Sequence, residues 1–510
     1  MCGIAAIYST SPISIVDIES PLFSMIEKIA HRGDASNFNE NLIKNNFGLA
    51  TNRLAIVERD CARQPVSDNE RDIHAVLNGQ IFNFKKIRAD LSEIGYKFEG
   101  AGDTEVLLKA YIEYGPSFVE RLDGMFAFVI IDNDKNTFLI GRDHVGIKPL
   151  YYVQKDNIWY VASEMKSLLS LASDIQTLDP GSIFDGSATY KYVDYWLYRE
   201  VSNDTEDIAK IKVRELLENA VKSQVDTDLP VSVMFSGGLD SAIVLYLAKK
   251  YHPNVTAISF GLSGSSDIDI AKRFCSENDI RHIVFTFTEE DLIANIQEAI
   301  YYSESFEKID GIDSTIAHFG YYIANKLGFK VSLCGEGSDE IFYGYDLFKD
   351  QEYPADLSRY RLTNLHRTDL QRVDRSSMRN TVEARVPFMN RNLVQYVLTL
   401  KDHLKLRDGI EKYILREAFR DALPDYIIER PKIRMPDGSG VKNTIIDYVD
   451  RIDINVPSEV ILALNSIGFE DKSSIYFSYL YLQHGYPFPK NRFKEVGKDF
   501  SISGYFNFIS

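Results

Sequence analysis

Cysteine is scarce in this 510-residue chain, with four thiols at Cys2, Cys61, Cys275 and Cys334. Their scatter fits neither a disulfide framework nor a zinc site, so a reducing, cytoplasmic setting is expected, with Cys61 and Cys275 as buried or incidental thiols. Long hydrophobic runs are missing, and no stretch approaches the roughly 20 apolar residues that span a bilayer. The opening Met1-Cys-Gly-Ile-Ala-Ala-Ile-Tyr8 has no basic segment, so no secretory signal is expected. Positive charge is short too: 57 Lys and Arg stand against 74 Asp and Glu, for a net charge of −17. That balance argues against a nucleic-acid partner, which demands clustered cations. Repeats and low-complexity segments are also lacking. What is present is an ordinary soluble composition, 45% hydrophobic and 26% charged, long enough for two or three domains.

The most informative stretch is Ser236-Gly-Gly-Leu-Asp-Ser241. The apolar run Val231-Ser-Val-Met-Phe235 enters it, and Ala242-Ile-Val-Leu-Tyr-Leu-Ala248 leaves it with apolar residues at helical spacing. A strand that turns on two glycines into a helix gathers backbone N–H groups and the positive helix end at one place, which suits phosphate. The lysine of a Walker A loop is missing, so the expected ligand is the pyrophosphate of an ATP that gives up AMP.

The first 160 residues are rich in short apolar segments bounded by turn residues, such as 126–131, 137–140 and 159–162, with a hairpin turn at 132–136. Helices are expected over 21–30 and 103–112, the second opened by Asp103 as its cap. Cys2 is the residue with chemistry. Removal of Met1 would leave its α-amine beside its thiol, and an amine titrating at about 8 can accept the thiol proton. One residue would then supply both nucleophile and base.

Cys2-Gly-Ile4 has company in His31-Arg-Gly33, Arg53-Leu-Ala-Ile-Val57, Gln64-Pro65, Asn78-Gly-Gln-Ile-Phe-Asn83 and Gly102-Asp-Thr-Glu105. Leu122 to Phe128, Arg142 to Tyr151 and Glu164-Met-Lys166 continue the series. Together these stretches resemble the N-terminal-nucleophile domain of the class II glutamine amidotransferases. The resemblance implies that Cys2 attacks the side-chain amide of glutamine and that Asn78 and Gly79 supply the oxyanion donors. It also implies that Arg53 and Asp103 grip the carboxylate and ammonium of glutamine, with Leu54, Ala55, Ile56, Val57 and Gln80 in the same site. One departure stands out: Gly33 is followed by Asp34-Ala-Ser36, where that family usually continues Pro-Asp.

The stretch from 171 to 205 is mixed and turn-rich and is taken as a linker. Helix 208–225 follows, then strands at 231–235, 255–260, 281–287 and 330–334 alternating with helices at 242–250, 268–278, 291–302 and 314–327. Such a rhythm implies a largely parallel sheet that binds ligands at the carboxyl ends of its strands. Gly335-Glu-Gly-Ser-Asp-Glu340 fails as a dinucleotide fingerprint, because Glu340 stands where the third glycine belongs, but suits metal and phosphate. Both loops, with Gly261 to Asp267, Val382 to Phe388, Lys412 to Arg416 and Leu423-Pro424, resemble the synthetase domain of the glutamine-hydrolysing asparagine synthetases, which are PP-loop ATP pyrophosphatases.

That resemblance implies an α+β N-terminal-nucleophile domain (an αββα sandwich) over 2–170, the linker 171–205, and an α/β parallel-sheet PP-loop domain over 206–440. Residues 441–510 form an extension without a motif. It implies ATP binding by Phe235, Ser236, Gly237, Gly238, Leu239, Asp240, Ser241, Phe260, Cys334 and Gly335, with Mg²⁺ at Asp240 and Asp339. Glu336 is expected to serve adenylation and the attack of ammonia, and Lys432 to steady the charge that develops.

On the acceptor side the family typically carries a stretch like Glu-Thr-Tyr-Asp-Val-Thr-Thr-Ile-Arg-Ala-Ser-Thr. Here the aligned run is Glu304-Ser-Phe-Glu-Lys-Ile-Asp-Gly-Ile-Asp-Ser-Thr315, with Ile312 in place of the arginine. Aspartate is the expected acceptor, and the carboxylate of a sugar acid, a peptide side chain or a metabolite is the alternative. The expected reaction hydrolyses glutamine, adenylates the acceptor with ATP and delivers ammonia to it. A bare glutaminase or a catalytically silent homologue is the remaining reading, opposed by the intact residues of both centres. The expected partners are small-molecule substrates, with no nucleic acid and no membrane; a homodimer is the candidate oligomeric state.

Overall fold

The computed structural model describes residues 2–34, 41–57, 59, 63–262, 266–432 and 440–489. Ala35-Ser36, Cys61, residues 263–265, Ile433 to Pro436 and the tail 490–510 therefore lie outside the described residues. The chain divides into two compact units. The first comprises Met1–Asp194 with Met378–Glu383 and Gly485–Pro487; the second comprises the rest.

The first unit contains two six-stranded antiparallel sheets. One runs in the order 176–177, 151–155, 158–162, 2–9, 47–53, 41–43; the other runs 189–191, 182–184, 137–142, 124–132, 73–81, 66–68. Both central strands of this pair are apolar on both faces, and the period of two sorts their side chains. Ile4, Ala6 and Tyr8 of strand Cys2–Ser9 join Val76, Ala127 and Val129 in the core between the sheets. Ala5 and Ile7 turn the other way, onto Ile18, Leu22 and Met25 of helix Ile15–Glu27. In the second sheet Phe126, Phe128 and Ile130 pack on Leu91, Val106 and Leu107, from helices Phe84–Glu93 and Asp103–Tyr114. The result is four layers, helix, sheet, sheet, helix.

The structure corrects the sequence reading in three places here. The segment 171–205 is not a plain linker, since residues 176–177, 182–184 and 189–191 are strands of the two sheets. Helix 84–93 was not expected. Helix Asp103–Tyr114 is capped by Gly102, and Asp103 instead spends its carboxylate on the backbone N–H of Ile81, 3.0 Å away.

The second unit is built on a five-stranded sheet in the order 281–287, 255–262, 231–234, 331–333, 383–385. The first four strands pair in parallel. Val231, Val233, Ala257, Val331 and Leu333 are buried, as befits strands covered on both sides. The described part of the final segment forms helices Val441–Arg451, Ser458–Ser466 and Lys472–Gln483. The last of these packs on helix Lys308–Lys326, where a Cβ on Gly311 would come within 2.5 Å of Phe477. Among the described residues no helix is long and apolar enough to cross a membrane.

Candidate functional site

Strand register places the nucleophile candidate of the first unit. In the antiparallel pairing of 2–9 with 47–53, Cys2 lies directly opposite Arg53. The side-chain Oδ1 of Asn78, on the facing sheet, accepts the backbone N–H of Cys2 at 3.2 Å. That bond fixes which way the amide faces and leaves its Nδ2 buried without a hydrogen-bond partner among the described residues. A buried orphan donor costs stability unless a ligand completes it.

Cys2 is 4% exposed, and burial pushes its thiol pKa up, against the N-terminal charge and the N–H of Leu54. Gln64 stands over it, with Nε2 3.9 Å from Sγ. Arg53 donates to the carbonyl of Val57 at 2.9 Å, which folds the 54–57 segment back on the strand end. Gly79 has φ +135°, and a Cβ there would meet the Met125 carbonyl at 2.0 Å, so only glycine fits this approach of the two strands. Burial raises the Asp103 carboxyl to about 6, although the Ile81 N–H works the other way. Cys2, Arg53, Leu54, Ile56, Val57, Gly79, Gln80 and Asp103 line one open cavity of about 1090 Å³. Asn78 lies behind its wall, and Ala55 is buried off it.

In the second unit the strand Val231–Met234 ends in the glycine turn, and helix Leu239–Tyr251 begins with Gly238 as its cap. Gly237 has φ +72°, and its carbonyl is held by Arg430 at 2.8 Å. Ser241 Oγ accepts the Ser236 N–H at 3.3 Å and donates to the Gly238 carbonyl at 3.1 Å, so the loop is tied by its own hydroxyls. All the expected ATP residues except Gly237 line one cleft, with Glu336, Asp339 and Lys432. Gly335 permits this convergence, since a Cβ there would stand 2.8 Å from the Cβ of Asp240. Cys334 is a neutral thiol here, raised by burial to about 12.

The centre of the cleft is a square of charges. Lys412 Nζ lies 2.6 Å from Asp240 Oδ2 and 2.6 Å from Asp339 Oδ1; Lys432 Nζ lies 2.6 Å from Asp339 and 3.7 Å from Asp240. Burial alone would raise the pKa of Asp339, but the two lysines hold it below the usual carboxylate range. The pKa of Lys432 is correspondingly raised: burial opposes the shift, and the charges of Asp339 and Asp240 outweigh it.

The sequence reading held Lys412 only as the first residue of a family stretch and gave it no role. It sits in the left-handed region at φ +56°, just before helix Tyr413–Phe419, and nothing local marks it as a partner of Asp240, 172 residues away. Gly344 makes room for it, because a Cβ there would be 2.0 Å from Asp339 Oδ1 and 2.3 Å from Lys412 Cε. Arg372 was missed as well. It reaches Asp313 at 2.5 Å, Glu336 at 2.9 Å and Asp369 at 2.9 Å. Burial raises the Glu336 carboxyl, with Arg372 and Lys432 opposing.

The thiol centre and the phosphate-type loop each lie within a stretch that a known family matches. The glutamine amidotransferase domain family matches residues 1–212, and the asparagine synthase family matches residues 212–359 and 350–459. An amidotransferase domain followed by an asparagine synthase domain defines the class of protein. Asparagine synthetase B (glutamine-hydrolysing) of Escherichia coli K12 is 32% identical over 465 residues, covering 86% of this chain and 83% of that one. A glutamine-hydrolysing asparagine synthetase of Brassica oleracea is 32% identical over 86% of this chain and 78% of its own length, and asparagine synthetase 3 of Arabidopsis thaliana is 32% identical over 93% and 85%. The chain belongs to the glutamine-hydrolysing asparagine synthetase family.

Proposed function

We propose that this protein is a glutamine-dependent asparagine synthetase, with the glutaminase centre in the first unit and the ATP-dependent centre in the second. The observation that supports it most is the coexistence of the Cys2–Asn78 centre and the Asp240–Asp339–Lys412–Lys432 cleft in one chain of this family. Cys2, freed of Met1, attacks the side-chain amide carbon of glutamine, its α-amine taking the thiol proton. The oxyanion of the tetrahedral adduct is held by the unpartnered Asn78 Nδ2–H and by Gly79 N–H. Ammonia leaves, and water hydrolyses the thioester to glutamate. Arg53 and Asp103 take the two charges of the glutamine backbone.

In the second unit the N–H groups of the 236–241 loop and the first helical turn hold the ATP phosphates. The β-carboxylate oxygen of aspartate attacks the α-phosphorus, and pyrophosphate departs against Lys412 and Lys432. Ammonia then attacks the acyl carbon, AMP leaves and asparagine forms; Glu336, with its raised carboxyl, is placed to take a proton from the incoming nitrogen. Asp240 and Asp339 are hard oxygen donors in the cleft, and two carboxylates suit a Mg²⁺ that completes its shell with phosphate and water. Bound there, Mg²⁺ supplies neutralisation of polyphosphate charge. The three described cysteines are free, which suits a reducing cytoplasm.

The test is stoichiometry. With glutamine, ATP, Mg²⁺ and L-aspartate, asparagine, AMP, pyrophosphate and glutamate should form, the first three in equal amounts. Glutamate without pyrophosphate, or ADP in place of AMP, would overturn the reading.

A further inference from the structure

The edge of the second sheet in the first unit carries a chain of bonded side chains that neither centre uses. In the antiparallel pairing of 66–68 with 73–81, Ser67 lies directly opposite His74, and its Oγ is 2.7 Å from the ring Nδ1. The other ring nitrogen, Nε2, is 2.7 Å from Oδ1 of Asp72. A carboxylate only accepts, so Nε2 carries the ring proton and Nδ1 is left to accept the Ser67 hydroxyl. Lys44 donates to the same oxygen of Asp72, and Asn133 Nδ2 donates to the other at 2.6 Å. Asn46 Nδ2 in turn holds Asn133 Oδ1 at 2.7 Å. Asp72 is thus fixed through both oxygens, and it fixes the ring.

The chain runs from interior to surface. His74 is 1% exposed and lies against Phe47, with ring centroids 5.1 Å apart, whereas Ser67 is exposed and lines the cavity of about 1090 Å³. An exposed hydroxyl is satisfied by water and needs no buried imidazole behind it. Burial lowers the His74 pKa and the Lys44 ammonium adds to this, against the bond to Asp72, so the ring is neutral at neutral pH and free to take a proton. Strand Val66–Asp68 ends its sheet among the described residues, so alternate N–H groups beside Ser67 face away from the neighbouring strand.

We infer that Ser67 is a second nucleophile of the first unit, with His74 as its base and Asp72 orienting the base, and that it hydrolyses small carboxylic esters. A nucleophile, a base within hydrogen-bond reach and a third group that holds the base are the parts that activate a serine, and roles and geometry identify them rather than sequence order. Ser67 Oγ attacks the acyl carbon of the ester while His74 Nδ1 takes the hydroxyl proton. The bond from the acyl carbon to the leaving oxygen then breaks, and His74 returns the proton to the departing alcohol. Water, giving its proton to the same nitrogen, attacks the acyl-serine, and the carboxylic acid and the free hydroxyl result. An outward N–H of the edge strand steadies the oxyanion in both steps. This chemistry is independent of Cys2.

The test uses the full chain carrying Cys2→Ala, so that the N-terminal thiol contributes nothing. A fluorophosphonate should phosphonylate Ser67, the Oγ–P bond forming as fluoride leaves, and p-nitrophenyl acetate should release p-nitrophenol and leave acetyl on Ser67; peptide mass mapping locates both adducts. Adding His74→Gln should slow formation of either adduct by about 100-fold. Asp72→Asn, which frees the ring to change tautomer, should slow it by a similar factor and gives a second reading should the buried His74 change disturb folding. Ser67→Ala, at an exposed hydroxyl, should abolish both adducts at that position, lower p-nitrophenol release by about 100-fold and leave the thermal midpoint unchanged. No adduct on Ser67 from either reagent, p-nitrophenol release unchanged by Ser67→Ala, or adducts forming as fast in a folded His74→Gln or Asp72→Asn protein would each overturn the inference.

Discussion

The two centres are assembled in different ways. Around Cys2 the important groups are set by backbone: the register of two strands puts Arg53 opposite the thiol, and one N–H orients the Asn78 amide. Few charges are involved, and a donor is left waiting without a partner. Around Asp240 the groups arrive from distant parts of the chain and are held by mutual charge, with two lysines against two carboxylates. The first arrangement is set by strand pairing and one backbone N–H. The second depends on a balance, so removing one member changes all the others.

Breaking the charge square should give the largest effect. Lys412→Met leaves Asp240 and Asp339 facing one another with only Lys432 between them, and it removes a cation from the path of the departing pyrophosphate. Pyrophosphate release should fall by about 10² to 10³-fold, while glutamate release by the first unit stays near the parent rate. Equal loss of both activities, with the thermal midpoint unchanged, would contradict the separation.

A smaller effect sharpens the contrast from the other side, because the first centre does hold one sensitive charge. Asp103 is raised to about 6 by burial, so it is neutral below that pH and cannot grip an ammonium. Protonation of the Cys2 amine already gives kcat/KM for glutamine one acid limb, and Asp103 should add a second. The profile should steepen from about one to about two powers of ten per pH unit below pH 6, with Asp103→Asn restoring the shallower slope. An unchanged slope across pH 6 in the parent enzyme would remove Asp103 from glutamine binding.

How far these centres could be foreseen follows from the same contrast. The strand, glycine turn and helix at 231–251 are written locally, in an apolar run, two glycines and a helical period, and their bounds differ from the expected ones by a few residues. The family stretches pointed to Cys2, Arg53 and Asp103, which line one cavity, and to Asn78, which bonds to Cys2. What stayed hidden was long-range or conformational. Lys412 and Arg372 acquire their partners only through tertiary structure, and no spacing rule joins Lys412 to Asp240. Asp103 looked like a helix cap because aspartate favours that position, but the Ile81 N–H competes for its carboxylate and wins. The short strands between 176 and 191 are too brief to show a period of two, so turn residues dominated their appearance.

The central claim is that one chain carries two separable chemistries, and Cys2→Ala tests it most directly. Asparagine formation by this variant is measured with glutamine and then with ammonium chloride as the nitrogen source. Glutamine should support no detectable asparagine, and ammonium should support it at close to the parent's ammonium-dependent rate, because the second centre is untouched. Glutamine-dependent synthesis at the parent rate, or loss of the ammonium-dependent reaction in a folded variant, would contradict the account.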